Sequence, residues 1–363
     1  GLNAHTWYEE TVYKIGLPSN RLQQWAEIES DRFVNPVFRL FHTELETVYE
    51  EKNRSLDNAG RIIGTAIDEL LYKVHPYGQQ PTIGTVDHLK NPSLVYIQDY
   101  FDTYYVPNNM GIFLSGDINI EETIALISEK FGHWASKPIP DVGPWPEPSI
   151  QGAERRTVQY PGEEQVSIAF RTAENGHEDK EALVLVDMIL DNRTAGLINL
   201  NLTQQQLVSS AGSSPLFLND YGSQNLYGVP KPDQSLEEVE QLLLDQLALI
   251  KAGEFEDWII PAIINDFKKN EKAGLEFNRA RVDTMRQSFI EGSDWDYHVA
   301  EINRMEQLTK DDVVAVANKY FGDNYISVYR IDDQHTLPPV EKPQIDPVTI
   351  DPTRQSEFAA YIL

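Results

Sequence analysis

The chain has 363 residues, with 30 basic and 57 acidic side chains and a formal net charge of −27. This length predicts about two domains, because one domain usually holds roughly 100–200 residues. The acidic balance disfavours binding to nucleic acid or to anionic lipid, since both are recognised by basic surfaces. Cysteine is absent, which excludes disulfides, a thiol nucleophile and cysteine-ligated zinc.

The spacing of apolar residues predicts the elements of the first third of the chain. Aromatic and β-branched residues dominate residues 5–17, which is typical of a strand. The chain enters this pattern at once and without Met, so we expect it to begin in the middle of a fold. The apolar run 110–116, bounded by turn residues, predicts a buried strand. Helical spacing covers residues 18–34, 40–58, 62–74, 94–105 and 120–131.

Two proline-rich acidic segments divide the rest of the chain. Residues 137–148 contain five prolines, which exclude a regular helix or central strand and predict an inter-domain linker. Residues 337–352 form the second segment and predict either a tether or an unstructured end. Between them we predict strands near 155–171, 204–230 and 325–331, and helices near 179–191, 235–252, 256–291, 294–305 and 310–321.

The two halves of the chain contain a similar helix–strand unit. Residues 94–101 resemble residues 314–321, and each predicted helix leads into a strand that ends in an acidic residue, at 111–117 and 326–332. This echo predicts a duplicated α/β unit. Chance similarity stays open as an alternative, because few positions are identical.

No motif marks a nucleophile, a nucleotide site or a complete metal site. The eight histidines include no pair at i, i+4, so neither HExxH nor HxxEH occurs in the chain. G-x-S-x-G, Walker A and G-x-G-x-x-G are absent as well. The serine-rich run 209–214 fits a turn or edge strand better than a nucleophile.

The acidic helix predicted at 40–58 places two glutamates on one face. Glu44 and Glu51 are seven residues apart, about two helical turns, so their side chains point the same way. Leu45 and Val48 mark the apolar stripe of the same helix. By itself this pattern fits a solvated acidic face.

A series of short motifs gives these glutamates a further meaning. In chain order the motifs are Gly1 to Thr6 (GLNAHT), Thr11-Val12-Tyr13, Asn35-Pro36, Glu44 with Glu51, His75-Pro76-Tyr77-Gly78, Gly84-Thr85, Tyr104 with Pro107 and Asn109-Met110, and Ser115-Gly116-Asp117. The series resembles the pitrilysin/insulinase family of inverzincin zinc metallopeptidases, which includes the mitochondrial processing peptidase. It lies within residues 1–132, and residues 155–332 match the family more loosely.

The resemblance implies a zinc site to which this chain contributes only part. Glu51 corresponds to the glutamate ligand of the family's zinc, and Glu44 to the acidic residue that supports the metal in catalysis. The two histidine ligands and the general base belong to HxxEH, which by the family's spacing would lie before Gly1. A catalytic zinc needs three protein ligands and an open position for water. We therefore expect zinc in the complete enzyme, but weak or no zinc binding and no peptide cleavage in this chain.

The resemblance also implies a peptide substrate. Asn3, Ala4 and Thr6 correspond to the edge strand on which the family lays its substrate by β-augmentation. The family usually has an aromatic residue at the position of His5, so the resemblance assigns His5 no role. A second homologous half, in the same or another chain, is the other implied partner. Nucleic acid and membrane are not expected as partners.

The implied architecture is an α+β fold of two homologous α/β modules, each a mostly antiparallel sheet packed with helices. We place the first module, truncated at its N-terminus, at 1–136 and a proline-rich linker at 137–150. The second module occupies 151–333, and a proline-rich acidic tail occupies 334–363. We expect Glu51 to lie on a helix beside the strand at 3–13.

Three hypotheses for the function follow. The first is a zinc endopeptidase or oligopeptidase that is present here without its HxxEH segment, and the retained Glu44 and Glu51 favour it. The second is a non-catalytic half of the same family that binds peptide or scaffolds a partner subunit. The third is an unrelated acidic α+β interaction protein. The lack of cysteine and the resemblance indicate a periplasmic or secreted protein, although the chain contains no signal sequence.

Overall fold

The computed structural model describes residues 1–90, 92–335, 349, 351 and 353–362. The described chain forms two compact units. The first unit comprises Gly1–Ser55, Thr82–Pro144 and the described residues beyond 338. The second unit comprises Leu56–Pro81 and the described part of 145–337. The proline-rich stretch 137–148 contains no helix or strand, while the predicted module boundaries stay a prediction.

Helices account for most of the regular structure. They are α1 (Leu22–Val34), α2 (Phe41–Leu56), α3 (Ala59–Leu71), α4 (Pro76–Gln79), α5 (Val86–Lys90), α6 (Leu94–Tyr104), α7 (Ile120–Phe131), α8 (Lys180–Leu190), α9 (Leu236–Lys251), α10 (Ile259–Gly274), α11 (Asn278–Ile290), α12 (Trp295–Val299), α13 (Glu301–Met305), α14 (Lys310–Tyr320) and α15 (Glu357–Ile362). The strands are β1 (Leu2–Thr6), β2 (Thr11–Ile15), β3 (Ala153–Gln159), β4 (Gln165–Thr172), β5 (Ser210–Phe217), β6 (Gly222–Val229) and β7 (Tyr325–Ile331).

Two strand predictions in the first unit are wrong. Residues 5–17 do not form one strand, because the chain reverses between β1 and β2 to make an antiparallel hairpin. The run 110–116 forms no strand, and Ile112 within it is 43% exposed. A β-strand needs a neighbouring strand to hydrogen-bond with, and an apolar sequence pattern does not supply one. The helix–strand echo therefore holds only for α14 and β7 among the described elements.

The second unit is built on a five-stranded sheet in the order β3-β7-β4-β6-β5. Only β3 and β7 run parallel, and the other neighbouring strands pair antiparallel. Helices α8, α9 and α14 contact one another and this sheet. The buried side chains Val166, Ile168 and Phe170 of β4 belong to the apolar core that these helices share.

The opposite face of this sheet is covered by α3. Successive side chains of a strand point to opposite faces, so Ser167, Ala169 and Arg171 face away from Phe170 and its core. The Arg171 guanidinium donates to the carbonyl of Leu71 at the end of α3, and α3 contacts β3, β4 and β7. The prediction of an α+β fold with helices packed on a mostly antiparallel sheet is thus confirmed.

Two buried carboxylates in the second unit have opposite electrostatic environments. Glu240 of α9 accepts hydrogen bonds from Arg155, Tyr325, Ser327 and Tyr329 at 2.5–2.8 Å. Burial alone would raise the pKa of Glu240, but the Arg155 guanidinium and the three hydroxyls hold it below its usual value.

No cation is among the groups that shift the pKa of Asp187 in α8. Ser213 and Gln224 each donate to its Oδ1 over 2.7 Å. Burial nevertheless raises the pKa of Asp187, and the nearby Asp191 carboxylate adds to the effect.

The last predicted segment lies mostly outside the described residues. Of the tail 334–363, the structure describes 334, 335, 349, 351 and 353–362, including α15. Tyr361 of α15 donates from its hydroxyl to Glu27 of α1 over 3.1 Å. None of the described helices is both long enough and apolar enough to cross a bilayer.

Candidate functional site

The hydrogen bonds of the β1–β2 hairpin alternate along the strands. Gly1 and Gly16 exchange two backbone bonds of 3.0 Å, and near the turn the Trp7 N–H donates to the Glu10 carbonyl over 2.9 Å. In an antiparallel pair, residues that exchange hydrogen bonds alternate with residues that do not. Gly1 and Trp7 both bond to residues that flank β2, at the two ends of the hairpin. Because hydrogen-bonded residues alternate, the odd-numbered residues of β1 direct their N–H and C=O groups inward to β2.

The even-numbered residues of β1 present their backbone groups to the outer edge. These are Leu2, Ala4 and Thr6, all of which are exposed. Among the described residues, β2 is the only strand that pairs with β1. The Ala4 N–H donates to the side-chain oxygen of Asn3 over 2.9 Å, so a side chain occupies this strand-pairing donor. The three residues predicted for substrate binding, Asn3, Ala4 and Thr6, therefore share one open strand.

One face of the hairpin is anchored in the first unit. Ala4 lies opposite Tyr13 in the register, and the Tyr13 ring packs edge-on against Phe33 of α1 at 5.2 Å between centroids. Burial and a hydrogen bond with Tyr105 raise the pKa of the Tyr13 phenol. Because side chains alternate along a strand, His5 points to the opposite face from Tyr13.

His5 on that opposite face is held by a carboxylate. Its Nε2 lies 3.1 Å from Oε1 of Glu10, which follows the turn. The Glu10 side chain is 8% exposed and that of His5 is 37% exposed, so the acid lies beneath a partly accessible imidazole. The family resemblance gave no reason to single out this pair. The signal that could have found it was the histidine itself, at a position where the family usually has an aromatic residue.

The two predicted metal-site glutamates lie on α2, also in the first unit. Glu44 and Glu51 are both exposed, whereas Leu45 and Tyr49 of the same helix are buried. Within the described part of the chain, no three His, Cys, Asp or Glu side chains come together in a way that could hold a metal ion. The described residues therefore supply no complete catalytic zinc site by themselves. The individual roles of Glu44 and Glu51 stay predictions.

A buried polar corner in the second unit was missed from the sequence. The consecutive N–H groups of Lys73, Val74 and His75 all donate to the Glu147 carboxylate, at 2.8, 2.8 and 2.6 Å. The His75 Nε2 lies 2.9 Å from Asp220. This corner explains the His75-Pro76-Tyr77-Gly78 motif as a structural feature. Its partners lie 72 and 145 residues further along the chain, beyond the reach of local patterns.

The hairpin offers an open strand edge, and the helix-covered sheet defines an α+β protein. Comparisons with known proteins show which proteins this chain resembles. The model of the Peptidase M16 inactive domain matches residues 94–267. The zinc protease PqqE of Helicobacter pylori is 26% identical over 344 residues, which cover 88% of this chain and 74% of that protein. The predicted resemblance to this family of zinc metallopeptidases is confirmed, because the chain is similar to M16 peptidases in sequence and matches their inactive-domain model over nearly half of its length.

Solved structures agree on the fold. A protease from Helicobacter pylori superposes with a TM-score of 0.84 at 23% identity and covers 91% of this chain and 82% of its own. The first half of the periplasmic protease PqqL from Escherichia coli gives a TM-score of 0.74 at 17% identity, covering 92% of this chain and 75% of its own. At these identities both likenesses concern the fold alone and assign no activity to this chain.

Proposed function

We propose that this chain is the peptide-binding part of an M16 zinc peptidase, and that an extended peptide joins β1 as a third strand. The observation that carries the proposal is the outward direction of the backbone groups of Leu2, Ala4 and Thr6. Strand addition pairs main-chain groups with main-chain groups, so it selects an extended conformation more than a sequence. The Asn3 side chain leaves the Ala4 N–H when the peptide arrives.

Strand addition also benefits the hairpin. A two-stranded sheet is marginally stable in water, and a third strand buries more of its surface. Each added backbone hydrogen bond contributes about 0.5–1.5 kcal/mol net. Because association and ordering of a flexible peptide cost a comparable amount, we expect weak binding that the side chains of the peptide modulate.

We further propose that Glu51 supplies one zinc ligand and that Glu44 supports the same metal. Carboxylate oxygen is a normal zinc ligand, but a catalytic site needs two more protein ligands and a bound water. The described residues supply no such set around Glu51. Peptide hydrolysis then requires ligands that these residues do not offer, and we expect the chain alone to bind zinc weakly and to cleave no peptide.

A non-catalytic half of the same family is the second candidate function. The match to a model described as an inactive domain favours it, and so does the absence of HxxEH from the 363 residues. In both cases we propose a second homologous half as partner. A relative described as periplasmic supports a periplasmic or secreted location for this chain.

Thr6 and Thr11 offer a matched test of strand addition. They lie opposite each other in the register, both are exposed, and each directs its N–H to its own outer edge of the hairpin. Proline removes the N–H and places a ring on that edge, at the same backbone cost in both strands. Thr6→Pro therefore blocks the edge of β1, and Thr11→Pro blocks the edge of β2.

The measurement is fluorescence anisotropy of a labelled, acetylated eight-residue peptide of alternating valine and threonine. We expect Thr6→Pro to weaken binding by about tenfold or more, the equivalent of roughly 1.4 kcal/mol, and Thr11→Pro to leave it nearly unchanged. Loss of binding in Thr11→Pro alone, or no binding to the unmodified chain, would refute the proposal.

A further inference from the structure

We propose that the His5–Glu10 pair is a specificity determinant that favours a basic side chain at one position of the bound peptide, the position opposite His5. This inference rests on the proposed function, because it assumes that the peptide lies along β1. The pair itself is a feature of the structure, with His5 Nε2 3.1 Å from Glu10 Oε1.

The register places the His5 side chain in direct contact with one side chain of the bound peptide. His5 exchanges its backbone bonds with Val12 on β2, so it exchanges none at the outer edge. On an added antiparallel strand, the residue opposite His5 therefore forms a non-hydrogen-bonded pair with it. Such pairs have the closest approach, with Cα atoms about 4.5 Å apart and side chains in direct contact.

The hydrogen bond to Glu10 fixes which imidazole nitrogen faces the substrate. A carboxylate accepts hydrogen bonds, so Nε2 carries the proton and Nδ1 of the neutral ring is an acceptor. Within the described residues, no hydrogen bond engages Nδ1 of His5, and the side chain is 37% exposed. A lysine or arginine opposite His5 can donate to Nδ1 and is attracted by Glu10.

The sign of the preference follows from the charge of the pair. With a neutral imidazole the pair carries one negative charge, and with a protonated imidazole it carries none, so it never favours an anion. Lys14 is the other charged side chain on this face, and it lies opposite Asn3. The peptide residue opposite Asn3 lies beside a neutral side chain, with Lys14 on the far side of Asn3, which makes it the internal comparison for the residue opposite His5.

The test uses acetylated eight-residue valine–threonine peptides in which a single lysine, norleucine or glutamate is moved along the sequence. The chain has a net charge of −27, which attracts any basic peptide. The decisive readout is therefore how the lysine-to-glutamate affinity ratio at one position changes in a variant. We expect a ratio of about tenfold at the position opposite His5 in the unmodified chain, and a reduction to roughly threefold or less in His5→Phe.

Two further variants separate the possible outcomes. Glu10→Gln should also lower the ratio, because it removes the charge while keeping a side chain of the same shape. Thr11→Ala should leave the ratio unchanged, because Thr11 is an exposed residue of β2 on the opposite face from His5. If the peptides bind but His5→Phe and Glu10→Gln both retain the full ratio, the specificity inference is wrong and strand addition stands. If no peptide binds, or Thr6→Pro binds as well as the unmodified chain, the proposed function itself fails.

Discussion

The two sheets of this protein treat their polar groups in opposite ways. The five-stranded sheet is covered by α8, α9 and α14 on one face and by α3 on the other, and buried carboxylates such as Glu240 are surrounded by donors. The β1–β2 hairpin leaves a row of backbone groups and the Asn3 and Thr6 side chains exposed. A buried polar group that has its hydrogen-bond partners contributes to a stable fold. A backbone group at an open strand edge is available to pair with a ligand.

This contrast predicts that the stability of the fold depends on the second unit and that peptide recognition depends on the first. Changes to the buried polar groups of the second unit should alter unfolding, whereas changes to the exposed groups of the first unit should alter binding and leave unfolding almost unchanged.

Glu240→Ala should have the largest effect on stability. It leaves the guanidinium of Arg155 and three hydroxyls without their acceptor, and breaking a buried charge pair typically costs about 3–5 kcal/mol; we expect about 3 kcal/mol because Arg155 is 53% exposed. Urea unfolding at neutral pH measures the change. The exposed Glu237→Ala on the same helix is the control, and a loss in that variant as large as in Glu240→Ala would contradict the assignment.

The same carboxylate predicts a pH dependence. The pKa of Glu240 is lowered in the folded chain, so its contribution is fully present above the unfolded-state value of about 4.3. The contribution is lost as the pH falls through the lower, folded-state pKa. The difference in unfolding free energy between the unmodified chain and Glu240→Gln should therefore shrink below about pH 4. A difference that stays constant with pH would rule out this explanation.

Asp187→Asn should have a smaller effect with the opposite pH trend. The raised pKa of Asp187 means that the unmodified chain loses stability as the pH rises from about 3.9 to the folded-state pKa. Asparagine keeps an oxygen for Ser213 and Gln224 and does not ionise. Relative to the unmodified chain, the variant should therefore become more stable between pH 4 and pH 8, as measured by urea unfolding at both pH values. The prediction is contradicted if Asp187→Asn becomes less stable relative to the unmodified chain as the pH rises.

Glu44→Gln and Glu51→Gln should have the smallest effects on stability. Both side chains are exposed, and such substitutions usually change the unfolding free energy by less than about 0.5 kcal/mol. If Glu51 is a single zinc ligand, the chain should also show only weak zinc binding by calorimetry, reduced further in Glu51→Gln. Tight, stoichiometric zinc binding that survives Glu51→Gln would place the metal elsewhere.

The helices could be predicted from the sequence because their signals are local. Ser235 and Glu238 form the capping box that begins α9, and the apolar spacing along α14 marks its buried face. The hairpin was harder to predict, because the residues of its turn, Trp7 to Glu10, include no glycine, proline or asparagine. The run 110–116 has the composition of a strand, but no local pattern shows whether a neighbouring strand is available.

The candidate site could be predicted only in part, for a related reason. The resemblance pointed to Asn3, Ala4 and Thr6 together, and the structure places all three on β1. The outward direction of the Ala4 and Thr6 backbone groups depends on the register with β2, which the sequence does not state. The His5–Glu10 pair depends on the turn that brings the two residues together.

Hydrogen exchange of individual backbone amides, measured by NMR with and without the valine–threonine peptide, distinguishes strand addition at β1 from strand addition at β2. Ala4 and Thr6 direct their N–H groups to the outer edge of β1, and Thr11 and Tyr13 direct theirs to the outer edge of β2. Strand addition to β1 predicts that the peptide slows exchange at Ala4 and Thr6 and leaves Thr11 and Tyr13 unchanged. Protection of Thr11 and Tyr13 instead, or of none of the four amides, would contradict the account.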